Sequence, residues 1–84
     1  MIYSVRIKAS AVKALKKIAP KDRERVIAAI DALATNPAAG GALKGEFAGL
    51  RRLRVGDYRV VYEVNDGELV VLVIRIGRRQ GVYR

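Results

Sequence analysis

The sequence predicts an α+β fold of order β-α-α-β-β-β, a helical hairpin packed on one face of a mostly antiparallel four-stranded sheet. Three observations predict it. Residues 11–34 carry apolar positions at helical spacing, interrupted by Pro20. From Leu50 onward the pattern changes to strand alternation, with turn signals at Gly56-Asp57 and Asp66-Gly67. The opening residues 2–8 also alternate. Eighty-four residues with 51% hydrophobic content suit one small domain spanning 1–84 rather than a disordered chain.

In the first strand, Tyr3, Val5 and Ile7 form the buried set and Ser4, Arg6 and Lys8 the other side. Ser10 is placed to cap a helix over residues 11–19, whose stripe is Ala11, Val12, Leu15, Ile18 and Ala19, with Lys13, Lys16 and Lys17 opposite. Pro20 ends that helix and suits the first position of the next, over residues 20–34, where Asp22 and Glu24 fall in the favourable first turn. Its core stripe is Val26, Ile27, Ile30, Leu33 and Ala34, and Thr35-Asn36-Pro37 stops it. Neither helix has a second apolar face, so the pair packs on a sheet. Residues 37–49, rich in Gly and Ala, read as a loop anchored by Leu43 and Phe47, with Lys44 between them.

A two-residue loop at Gly56-Asp57 pairs Val55 with Tyr58, Arg54 with Arg59 and Arg52 with Val61. That arithmetic puts Arg52, Arg54 and Arg59 on one face and Leu53, Val55, Tyr58, Val60 and Tyr62 on the other, beneath the helices. A second two-residue loop at Asp66-Gly67 pairs Glu63 with Val70, Val61 with Leu72 and Arg59 with Ile74. The last strand is apolar on both sides, as an interior strand is, with the N-terminal strand as its other neighbour. Beyond it a basic, aromatic tail carries Arg78, Arg79, Tyr83 and Arg84.

The formal net charge is +9, which favours a polyanion: nucleic acid, an acidic membrane surface or an acidic protein. Five of six lysines lie at or before Lys21, whereas eight of eleven arginines lie at or after Arg51. Arginines crowded onto strands suit phosphate, because the guanidinium fork matches its oxygens. The alternative is an ion-pair network using Glu46, Asp57 or Glu63. With no cysteine and no histidine, the chain has no disulfide, no thiolate or imidazole metal site, and neither a thiol nucleophile nor an imidazole base. No apolar run approaches the roughly 20 residues that span a bilayer. The start is strand-like rather than a signal peptide, so a cytoplasmic address is expected.

Two classes of function fit a cationic face. One is plain nucleic-acid binding by charge, with Tyr83 stacking on a base. The other is RNA cleavage by the RNA's own 2′-hydroxyl, which needs alignment on phosphorus, charge stabilisation of the non-bridging oxygens and proton transfer, but no metal or other cofactor. Free Tyr and Arg have pKa values of roughly 10 and above 12, so positioning and electrostatics dominate. Tyr3, Tyr58 and Tyr62 fall on the predicted core face and read as structural. Tyr83 lies past the last apolar run among arginines and reads as functional.

The segment from Leu53 and Arg54 through Tyr58-Arg59 to Tyr62, with Gly77-Arg78-Arg79 and the closing Val82-Tyr83-Arg84, resembles the RelE/ParE toxin superfamily, its RelE-like branch in particular. The opening strand, the helical hairpin, Asn36-Pro37 and Leu43-Lys44-Gly45 also fall where that family has them. The resemblance implies a type II toxin–antitoxin toxin that cleaves messenger RNA in the ribosomal A site, leaving a 2′,3′-cyclic phosphate. Carried over by position, Arg59 and Arg79 would stabilise the scissile phosphate, and Arg79 would also be the proposed general acid. Tyr83 would stack on the base or help remove the 2′-proton. Arg52 matches a lysine on the nucleophile side, and Lys44 and Arg54 match auxiliary basic positions. Arg51, Arg78 and Arg84 complete the expected RNA-binding set. Leu50 stands where some members have a second lysine. Implied partners are a cognate antitoxin, mRNA with the ribosome, and operator DNA through the antitoxin. The other readings are a ParE-like inhibitor of DNA gyrase and a non-catalytic nucleic-acid-binding module.

Overall fold

The computed structural model describes residues 2–78. The elements run β1 (Ser4–Ile7), α1 (Ala9–Lys16), α2 (Pro20–Ala32), β2 (Gly41–Ala42), a 3-10 turn (Gly45–Phe47), β3 (Leu50–Val55), β4 (Tyr58–Asn65) and β5 (Val70–Arg78). They make a five-stranded sheet of order β1-β5-β4-β3-β2, with β1 parallel to β5 and every other pairing antiparallel. The α+β order is the predicted one. The added strand, β2, comes from the glycine-rich stretch read as loop, where two residues are too few to show alternation.

Local chemistry accounts for most boundaries. Pro20 occupies the first turn of α2, where its missing N–H costs nothing. The carbonyls at the end of α1 are taken by Arg23, whose Nη2 donates to Ile18 O at 3.0 Å and to Lys16 O at 3.4 Å. That guanidinium lets two helices meet with only three residues between them. Ser10 is not the cap of α1. The helix begins one residue before it, with Lys8 at the cap position and no side-chain capping bond. The helices are also shorter at their C-terminal ends than their apolar stripes suggested.

The core lies between the helices and one face of the sheet. It joins Ala11, Leu15 and Ile18 to Val26, Ile30 and Leu33, and both groups to Val60, Tyr62, Val71, Val73 and Ile76. Tyr3, Val5, Ile7, Leu53, Val55 and Tyr58 pack around it. Ile27, assigned to the core stripe from sequence, is instead 38% exposed on the outer side of α2.

The first hairpin has the predicted register: Val55 opposite Tyr58, Arg54 opposite Arg59 and Arg52 opposite Val61. Gly56 takes a positive φ of 58°, as the first position of a type II′ loop requires. The second hairpin differs. Asn65 pairs with Val70, so the connection is the four residues 66–69 and the strands are shifted by two from the predicted pairing. Asn65 is the reason: its Oδ1 accepts from the Glu68 N–H at 2.9 Å, and its Nδ2 donates to Glu68 Oε1 at 3.1 Å. Such a side-chain-closed turn competes with the tight hairpin that Asp-Gly favours. The positive φ falls on Leu69, at 55°, not on Gly67.

Candidate nucleic-acid interface

The side of the sheet away from the helices is built in rows across the strands. One row runs Arg54–Arg59–Gly77, and the next runs Gly41–Arg52–Val61–Arg75. Arg52, Arg54 and Arg75 are exposed, whereas Arg59 is half-buried with its Nε enclosed. Arg54 and Arg59 stand directly opposite one another, an arrangement that opposes folding for like charges. Val61 is 3% exposed yet lies outside the core, flanked by Arg52 and Arg75. Long arginine stems can cover apolar surface while their heads remain in water. The next row holds an acid, Glu63, between Leu50 and Leu72.

Of the residues singled out from sequence, Arg52, Arg54 and Arg59 are brought together on this face. Arg51 falls on the opposite side, across from the buried Tyr62, and its Nη1 donates to Gly40 O at 2.6 Å. Arg78 is opposite Tyr58, also on the helix side, with its guanidinium carbon 5.8 Å from the Tyr58 ring centroid. Lys44 is exposed past the end of β2, at the sheet edge. Arg79, Tyr83 and Arg84 lie outside the described residues. Tyr58 and Tyr62 are part of the core or packed on it.

Arg75 is the residue that sequence reasoning missed. It sits on the arginine face only because the β4–β5 pairing skips Ile74, moving from Tyr62–Val73 to Val61–Arg75. A single cation between Ile74 and Ile76 was the available signal, but alternation on a doubly apolar strand gave it no side.

A buried polar device sets the edge of this face. The Tyr62 hydroxyl donates to Pro37 O at 2.7 Å and accepts from Gly40 N–H at 2.9 Å. These bonds hold the 37–40 loop against the sheet, and Gly41 then pairs with Arg52. At the far side, the Tyr3 hydroxyl donates to Asp66 Oδ1 at 2.6 Å, tying the start of β1 to the β4–β5 turn. That bond to a carboxylate raises the Tyr3 pKa above its ordinary value. Among the described residues, no group of three or more carboxylates converges to hold a metal ion. Chemically, the face can hold an extended anion by charge-assisted hydrogen bonds.

Comparison with known proteins places the fold. A family model described as the ParE toxin of the type II toxin–antitoxin system parDE matches residues 5–83. The toxin RelE of Mycobacterium tuberculosis is 37% identical over 84 residues, covering 98% of this chain and 87% of the relative. The crystal structure of the RelBE2 toxin–antitoxin complex from the same organism superimposes with a TM-score of 0.86 at 31% identity, covering 94% of this chain and 100% of that one. The archaeal RelE–RelB complex of Pyrococcus horikoshii gives a TM-score of 0.79 at 32% identity, covering 95% and 98%. The chain belongs to the RelE/ParE family and is a RelE-like toxin of the type II toxin–antitoxin class.

Proposed function

We propose that the protein is a ribosome-dependent, metal-independent mRNA endonuclease that cuts in the A site. The observation that carries this reading is the row Arg54–Arg59–Gly77 beside Arg52, a cationic face on β3 and β4 bordered by β5, whose last residue Arg78 precedes Arg79 in the sequence. In the reaction, the 2′-oxygen of the RNA attacks the adjacent phosphorus and the bond to the 5′-oxygen of the next nucleotide breaks, leaving a 2′,3′-cyclic phosphate. Arg59 and Arg79 stabilise the charge on the non-bridging oxygens. Arg52 holds the nucleophile side. Tyr83 stacks on the base or helps remove the 2′-proton, and Arg79 donates the proton to the leaving oxygen. With such weak acids and bases, alignment supplies most of the rate.

The partner that restrains it is a cognate antitoxin, a reading supported by relatives whose solved structures are complexes with RelB. Operator DNA is reached through that antitoxin. The setting is cytoplasmic, where ribosomes are. No helix among the described residues is long and apolar enough to cross a membrane.

The test is cleavage of an mRNA on programmed ribosomes, with free mRNA and Arg79→Ala as controls. The expected result is a cut confined to the A site, a cyclic phosphate at its 3′ end, and loss of the cut in Arg79→Ala. Growth arrest without any cut would overturn the nuclease and move the target to DNA gyrase.

A further inference from the structure

The bulge at Ile74 creates a second cationic feature. If β4 and β5 continued without it, Arg75 would stand opposite Val60, which is fully buried under the helices. A guanidinium there would be stripped of water at high cost. The extra residue turns Arg75 to the other face, the kind of re-aiming that bulges perform near functional sites. Beside it lies a cleft of about 250 Å³ between β5 and the β1–α1 junction, lined by Lys8, Ser10, Ala11, Ile74, Arg75 and Ile76. Its two charged lining residues among those described, Lys8 and Arg75, are both cations and both exposed. Arg75 belongs to the cleft and to the arginine face at once. Gly77, opposite Arg59 and next along that side of β5, places no side chain between them. Cations therefore follow one another across the sheet from Arg54 through Arg59 and Arg75 to Lys8.

We propose that this cleft is a phosphodiester subsite for the RNA strand, in which Arg75 and Lys8, with the Ser10 hydroxyl, hold a backbone phosphate neighbouring the scissile one. The proposal rests on the RNA-cleaving reading above and extends its substrate track beyond the reacting bond. A phosphate contact fixes register without reading sequence. Arg75 and Lys8 are thus positioning residues: they hold the strand in line for attack of the 2′-oxygen on the scissile phosphorus beside Arg59.

The experiment measures Arg75→Ala, Lys8→Ala and Arg75→Lys in two assays, with melting temperatures as a folding control. In ribosome-programmed cleavage, each alanine variant raises KM about fivefold with kcat changed less than twofold, and Arg75→Lys recovers most of the loss. In binding to a short RNA carrying a 2′-deoxy nucleotide at the cut, each alanine variant lowers the slope of log affinity against log salt by about 0.7, the loss of one phosphate contact on a single strand. Unchanged slopes in folded variants overturn the subsite. So does a loss confined to antitoxin affinity, which would assign the cleft to the protein partner. If the wild-type protein cuts nothing, the nuclease reading fails alone, because the slope on uncleavable RNA still decides whether the cleft holds phosphate.

Discussion

The backbone N–H of Gly40 donates to the buried hydroxyl of Tyr62 at 2.9 Å, joining a loop to a strand 22 residues away. The same hydroxyl donates to Pro37 O, so one side chain satisfies two backbone groups. Tyr62 is fully buried. Replacing it with Phe keeps the ring and strands both groups. We expect Tyr62→Phe to lose about 1–3 kcal/mol of stability, the cost of buried groups left unpaired. Urea denaturation should show a lower midpoint with an unchanged slope.

Gly40 itself leaves no room for a side chain. A Cβ there would lie 2.6 Å from the Arg52 carbonyl oxygen and 2.8 Å from the Tyr62 hydroxyl. The first of these is backbone and cannot swing aside. Gly40→Ala should therefore displace β2 from β3 and destabilise the protein by about 1–3 kcal/mol, the usual cost of overpacking. Amide exchange should become faster at Leu43, whose N–H donates to Leu50 O at 2.9 Å, more than in β5.

Legibility from sequence followed the range of the interactions. The register of the first hairpin could be read because Gly56 decides it within two residues, and the face carrying Arg52, Arg54 and Arg59 follows from that register alone. The second hairpin escaped because an Asn65 side chain, not the Asp66-Gly67 backbone, shapes the turn. The face of Arg75 escaped because Ile74 looks like any other β-former, and a bulge shows only in the pairing. Arg51 stands in the expected RNA-binding set, yet it faces the helix side, opposite Tyr62. Its bond to Gly40 O depends on the Tyr62-held loop, which no local pattern announces.

Arg23 offers a test of the helical hairpin. Its guanidinium bonds carbonyls of Lys16 and Ile18 at the end of α1. Arg23→Ala removes a charged donor from the part-buried Ile18 carbonyl and from the exposed Lys16 carbonyl. A loss of about 1.5–3 kcal/mol is expected, the range for hydrogen bonds to charged groups. Exchange should accelerate at Lys17 and Ile18, the amides of the α1 C-terminal turn, while β4 stays protected. Uniform acceleration across the sheet would mean that Arg23 supports the fold globally rather than the helix end.

Arg54 and Arg59 face each other across β3 and β4, so removing one charge should help folding while harming the face. Arg54→Gln is expected to melt at a higher temperature than wild type in low salt. The gain should shrink as salt is added, because the Debye length falls to about 10 Å at 0.1 M. Affinity for a short RNA should fall in the same variant. A lower melting temperature in low salt would show that Arg54 is held by favourable contacts rather than opposed by Arg59.

The Tyr3–Asp66 bond predicts a pH signature. The Tyr3 hydroxyl donates to a carboxylate, and that bond, with burial and the Asp66 charge, raises its pKa in the folded state. A raised pKa means the folded protein holds the proton more tightly than the unfolded chain. The stabilisation is therefore present in full below the unfolded value, about 10, and is lost as pH rises through the higher folded value. Wild type should melt above Tyr3→Phe by a constant margin from pH 7 to 9. The margin should close at pH values beyond about 10, where the phenolate would face the Asp66 carboxylate. A margin that instead persists unchanged at high pH would locate the contribution of Tyr3 in its ring packing, not in the bond to Asp66.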